Sequence, residues 1–121
     1  MKGQPFYKRL GFAINGIRLA LFRERSFRYH VVSCAGVLLA LLLTRPAVIW
    51  WAIGVLTVGL VVTAELINTA METLADHIHP EHHNEIKAVK DIAAAAVLIS
   101  SITAFLVAVA FLFYYFQTSS H

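Results

Sequence analysis

Glu65, Asn68, Glu72 and Asp76 follow one another at spacings of three, four and four residues. On a helix that advances about 100° per residue, the four fall within an arc of about 80°, one polar stripe on an otherwise apolar segment. Glu65 stands about 16 Å along the axis from Asp76, deep in the apolar run VLTVGLVVTAELIN. An ionisable group at that depth costs several kcal/mol unless it is paired, so a functional reading is the default. The plain alternative is a helix that leaves the membrane near Ala70. It accommodates Glu72 and Asp76 as solvated acids but leaves Glu65 unexplained.

Three further groups extend the chemistry. Glu24 ends an amphipathic segment. If that helix continues to Glu24, its carboxylate lines up with Phe6 and Ile17 on the apolar side, where an acid needs a cation. Arg23, Arg25 or Arg28 would supply a simple salt bridge; a divalent ion shared with Glu72 is the sharper alternative. Mg²⁺ takes one or two protein carboxylates and fills its other positions with water and phosphate oxygens. Lys90-Asp91 is expected at the start of the last helix, where free N–H groups and a lysine suit a phosphate; Asp91 could equally cap that helix, and Lys90 could snorkel. The cluster His77, His79, His82 and His83 invites a zinc reading, but no cysteine accompanies it and its spacing matches no zinc module, so it reads as a solvated interfacial loop.

Acids for a metal, a lysine for phosphate and a buried glutamate for a proton are the equipment of phosphoryl transfer, which depends on positioning and charge neutralisation. The chain has no Walker-type glycine loop, no kinase-type glycine loop and no Gly-x-Ser-x-Gly, which excludes the soluble phosphotransferase folds.

The elements that must position these groups are membrane helices. Of 121 residues, 59% are hydrophobic and only 14% charged, with a mean hydropathy of +0.69. Soluble domains run near 45–50% apolar, and so short a chain cannot hide this much apolar surface in an aqueous core. Residues from about 4 to 22 alternate charge with the stripe Phe6, Leu10, Ile14, Ile17 and Leu21, which predicts an amphipathic helix in the headgroup region. Three spans are expected within about 27–43, 47–76 and 91–116. The fold class is therefore all-α, a surface helix plus three transmembrane helices in a single membrane domain. Trp50 and Trp51 fall where an interfacial aromatic belt belongs.

Seven Lys and Arg precede the first span and Lys87 and Lys90 follow the second, while Arg45 alone lies on the opposite side. The positive-inside rule puts the amino terminus and the histidine-rich loop in the cytoplasm and the carboxyl terminus outside. The basic excess is thus a topology signal and implies no nucleic-acid partner. No cleavable signal peptide is expected, because Lys8, Arg9 and Arg18 interrupt the first apolar stretch. Cys34, the single cysteine, permits no intrachain disulfide. Small residues, among them Gly36, Gly54, Gly59, Ala93 to Ala96, Ser100 and Ser101, favour close helix packing, and three helices make a thin bundle that calls for a homo-oligomer.

The stretches AELINTAMETLAD and KAVKDIAAAAVLIS, with FAINGIRLALFRERSFRYH before them, resemble the prokaryotic diacylglycerol kinase family, which includes the undecaprenol kinases. The residues before Phe6 do not align with it, and the alanines after Asp91 stand where some members carry glycine or serine. The resemblance implies a homotrimer in the bacterial cytoplasmic membrane, with active sites shared between subunits. By matching position, Glu65 would be the general base, Glu24 and Glu72 would hold Mg²⁺ on the ATP phosphates, and Asn68, Lys90 and Asp91 would complete the nucleotide site. Glu81, His82 and His83 would lie beside the nucleotide. Lipid would enter against the surface helix and second span, with Arg18, Arg28, Trp50 and Trp51 as candidate contacts. The implied reaction moves the ATP γ-phosphate to diacylglycerol, giving phosphatidic acid, or to undecaprenol, giving undecaprenyl phosphate. Two rivals come from other classes: a small proton-coupled transporter using Glu65, and a scaffold subunit in which the acids are idle.

Overall fold

The computed structural model describes residues 3–78 and 84–119. Four helices follow in order: α1 (Phe6–Arg23), α2 (Arg25–Thr44), α3 (Val48–Ile78) and α4 (Asn84–Ser119). The described residues contain no strand. The last three helices are long and apolar enough to cross a membrane, with mean hydropathies of 1.6, 1.9 and 2.6 in their apolar windows.

Local chemistry accounts for each boundary. Pro5 precedes α1 with its φ already set at −59°, and its carbonyl accepts N–H bonds from Lys8 and Arg9 at 3.1 Å each. Between α1 and α2 the chain breaks at one residue. Glu24 is extended (φ −115°, ψ 112°), its N–H donating back to the Ala20 carbonyl at 2.9 Å. The carbonyls orphaned at the end of α1 are met by the Arg28 guanidinium, whose Nη1 donates to Leu21 O at 2.8 Å and Phe22 O at 3.1 Å. Phe27, three residues beyond the break, is only 1% exposed. α1 therefore ends at Arg23, close to the expected end near 22, and the condition under which Glu24 would continue its apolar stripe is not met: Arg28 caps a turn there that no glycine or proline announces.

Arg45 closes α2 in the left-handed region (φ 48°), a conformation that costs a residue with a β-carbon roughly 1–2 kcal/mol. Pro46 follows, which cannot continue a helix. The chain then reverses into α3.

α3 and α4 form the most extensive pair, α2 packs along α3, and α1 touches α2 and α3 more lightly. Where α2 crosses α3, Gly54 lies under the buried Leu41, and a β-carbon at Gly54 would sit 2.9 Å from Leu41 Cδ1. Of the small residues expected to admit close packing, Gly54 does so within one chain. Gly36 and Gly59 face open space. At the opposite end from the acids, Trp50 meets Phe111 edge-on at 5.3 Å and Tyr114 at 5.2 Å, joining the start of α3 to the end of α4. Most other large apolar side chains point outward; Val48, Leu56, Ile92 and Phe105 are each more than half exposed. Lipid is the solvent that satisfies such a surface.

Candidate active site

Glu65 is the most deeply buried acid among the described residues, at 2% exposure. It lies in α3 opposite the first turns of α2, which supply its partners. Ser26 Oγ donates to Oε1 at 3.1 Å, and His30 Nδ1 stands 2.7 Å from the same oxygen. Ser26 and His30 are four residues apart, so one face of α2 presents both. A carboxylate withdrawn from water is tolerable when donors replace the lost hydration, and two are present here.

From Glu65 the polar stripe grades outward. Asn68 and Glu72 are half-buried and Asp76 is exposed. Asn68 Oδ1 and the neighbouring Thr69 Oγ1 are buried without a hydrogen-bond partner. Such orphaned groups cost about 1–3 kcal/mol each and call for a water, an ion or a ligand. Around Glu72 gather the charges of Glu24, Lys90, Asp76 and Glu65. Glu24, half-buried in the extended residue between α1 and α2, is close enough for its charge to act on Glu72. Neither Glu24 nor Glu72 forms an ion pair among the described residues, so the arginine salt bridge considered for Glu24 is not made.

Glu24 and Glu72 are hard-oxygen carboxylates of like charge near enough to act on one another, with Lys90 also acting on Glu72 and no ion pair closed at either. Among the described residues no group of three or more histidine, cysteine or acidic side chains gathers to bind a metal. That donor set suits an ion such as Mg²⁺, which needs few protein ligands when phosphate supplies the rest, and does not suit zinc.

Lys90 and Asp91 require a correction. They do not open the last helix. Asn84 does, and Lys90 lies about 9 Å further along the axis, so neither the helix-terminus phosphate cradle nor the Asp91 cap exists at these residues. The segment NEIKAVK is polar but made largely of good helix formers, and it winds onto the span ahead of it. Within the helix Lys87 Nζ pairs with Asp91 Oδ2 at 2.6 Å. Lys90 instead forms a close ion pair with Asp76, tying the polar ends of α3 and α4 together. Glu81, His82 and His83, like His79, lie outside the described residues; His77 is exposed in the last turn of α3.

The lipid candidates divide. Arg18 is exposed on α1, Arg28 is engaged in capping that helix, Trp50 packs against α4 aromatics, and Trp51 is half-buried. An apolar groove of about 710 Å³ runs between α2, α3 and α4, lined by His30, Ser33, Thr57, Phe105 and Tyr115 among others. On α2 its lining extends from His30 to Thr44, about 21 Å along the axis. It therefore begins at a direct partner of Glu65 and ends near the aromatic cluster. Ser26 and His30 were missed from sequence; a Ser/His pair at i and i+4 opening an apolar span was the available signal.

Residues 11–112 match the family model described as prokaryotic diacylglycerol kinase. The chain is similar to the undecaprenol kinase of Bacillus subtilis strain 168, with 36% identity over 97 residues, 80% of this chain and 79% of that protein. It is also similar to the diacylglycerol kinase of Escherichia coli strain K12, with 34% identity over 104 residues, 80% of each chain.

Proposed function

Because the chain belongs to the prokaryotic diacylglycerol kinase family, we propose that it transfers the γ-phosphate of ATP to the hydroxyl of diacylglycerol, giving phosphatidic acid. The observation that carries the reading is Glu65: an acid buried at the edge of an apolar groove, held by two donors, on the same face of α3 as Glu72 and two turns from it. Glu65 takes the proton of the lipid hydroxyl. The freed oxygen bonds to the γ-phosphorus as the bond from phosphorus to the ADP oxygen breaks, in line. A low-dielectric surround suits this base, since it leaves few competing partners for the hydroxyl.

Glu24 and Glu72 hold Mg²⁺, which neutralises phosphate charge when nucleotide is bound. Asn68 offers its free Oδ1 and amide to the nucleotide. Lys90 offers its ammonium to phosphate and Asp91 completes the nucleotide site with it, with Glu81, His82 and His83 beside the nucleotide. Lipid enters against α1 and α3, with Arg18 on α1, Arg28 at the start of α2 and Trp50 and Trp51 on α3 as its contacts. We place α1 in the headgroup layer, and the amino terminus and histidine loop in the cytoplasm of a bacterial inner membrane, on the lysine and arginine asymmetry. A homotrimer with sites between subunits gives the outward apolar faces and the open surfaces at Gly36 and Gly59 a protein partner.

A second acceptor, undecaprenol, is raised by the similarity to an undecaprenol kinase. Both alcohols present a terminal hydroxyl at headgroup depth. Purified protein in mixed micelles, given labelled Mg-ATP and both lipids in competition, distinguishes them. The reading fails if neither lipid is phosphorylated or if Glu65→Gln keeps full turnover.

A further inference from the structure

Among the described residues, His30 is the polar partner of the buried carboxylate that also lines the groove. It stands 2.7 Å from Glu65 Oε1 and lines the groove wall. Its Nδ1 also lies 3.0 Å from the Ser26 backbone carbonyl. A carbonyl oxygen and a carboxylate oxygen both only accept, so the nitrogen between them carries a proton and donates, whatever the state of Nε2. Ser26 adds its hydroxyl proton to the same Oε1. Both donors therefore converge on one oxygen of Glu65, while Oε2 has no donor among the described residues.

We propose that His30, assisted by Ser26, is a positioning residue for phosphoryl transfer: it clamps Oε1 so that Oε2 alone is presented, at a fixed angle, to an alcohol whose chain lies in the groove. This inference rests on the lipid-kinase reading and extends it to residues outside the acidic stripe. A glutamate has three side-chain torsions. Without the clamp, the carboxylate of Glu65 samples orientations in which its free oxygen points away from the groove, and general-base catalysis falls with misplacement on the scale of an ångström. His30 donates from α2, and α2 also forms the groove wall, so the base and the bound alcohol are referenced to one helix.

The test compares wild type, His30→Ala, His30→Asn, Ser26→Ala and the double variant His30→Ala/Ser26→Ala in mixed micelles with Mg-ATP and lipid alcohol. Asparagine carries an amide nitrogen near the place of Nδ1. Expected for His30→Ala is a fall in kcat of about 10- to 100-fold with the KM for ATP unchanged, and recovery to within about 3-fold in His30→Asn. The double variant should fall by less than the product of the single effects, since both donors act on one oxygen. Wild-type turnover of neither lipid would refute the kinase reading itself. Active wild type with unchanged kcat in His30→Ala would overturn the positioning role alone, as would a loss equal in His30→Ala and His30→Asn, or a rise confined to the KM for ATP. Thermal unfolding of each variant in detergent shows whether an equal loss comes from misfolding, which also counts against a positioning role.

Discussion

The α3–α4 pair is held at its two ends by opposite means. At one end Trp50 packs into Phe111 and Tyr114, a contact of large rings without charge. At the other, the helices meet through Asp76 and Lys90, near Glu72 and three turns from the buried Glu65. The aromatic end gives up no polar group and contributes dispersion and burial. The acidic end gathers like charges and leaves Asn68 Oδ1 and Thr69 Oγ1 unpaired. A protein selecting only for stability would have no reason to keep the second arrangement. If the acidic end is the site proposed above, one end holds and the other works, and stability and turnover should separate when the ends are altered one at a time.

The sharpest break is expected from Glu65→Gln. An isosteric amide keeps the packing but cannot take a proton, so kcat should drop by about 10³-fold while the protein still folds, as phosphate transfer and a thermal melt would show together. Next come Glu24→Gln and Glu72→Gln. Each should lower turnover by about 10²-fold and raise the magnesium concentration needed for half-maximal rate, with little change in melting temperature. A normal magnesium dependence in both would remove them from the ion site.

The opposite end should behave in reverse. Trp50→Ala removes the ring that joins α3 to α4, and for a half-buried aromatic the expected loss is about 2–3 kcal/mol of stability, read by denaturant titration in detergent, with turnover per folded molecule preserved. Gly54→Ala should cost less, about 1 kcal/mol, because the intruding β-carbon meets the movable tip of Leu41. Combining it with Leu41→Val should recover part of that loss. If Gly54→Ala instead silenced the enzyme at full stability, the division between the two ends would not hold.

The sequence reading went furthest where a single helix carries the information. The periodic stripe Glu65, Asn68, Glu72 and Asp76 needs only the pitch of α3, and the apolar lengths of three spans need only composition. It failed where two elements must be known at once. The pairing of His30 and Ser26 with Glu65 joins residues 35 and 39 positions apart, and no local pattern encodes that register. The break at Glu24 depends on an arginine four residues later reaching back over it. The start of α4 was misplaced for another reason. NEIKAVK is charged enough to suggest a loop beside a membrane, yet lysine, glutamate and alanine favour the helix wherever water is available, and continuity with an apolar span makes the extra turns inexpensive.

The length of α3 and α4 carries one more implication. At about 46 and 54 Å, for 31 and 36 residues, they outreach a hydrocarbon layer of about 30 Å. The surplus is a two-helix post standing across the oil–water boundary. A nucleotide that never enters oil and an alcohol whose tail never enters water can then be gripped by the same pair of rods. Neither reactant has to change phase, and the distance between them is set by helix pitch.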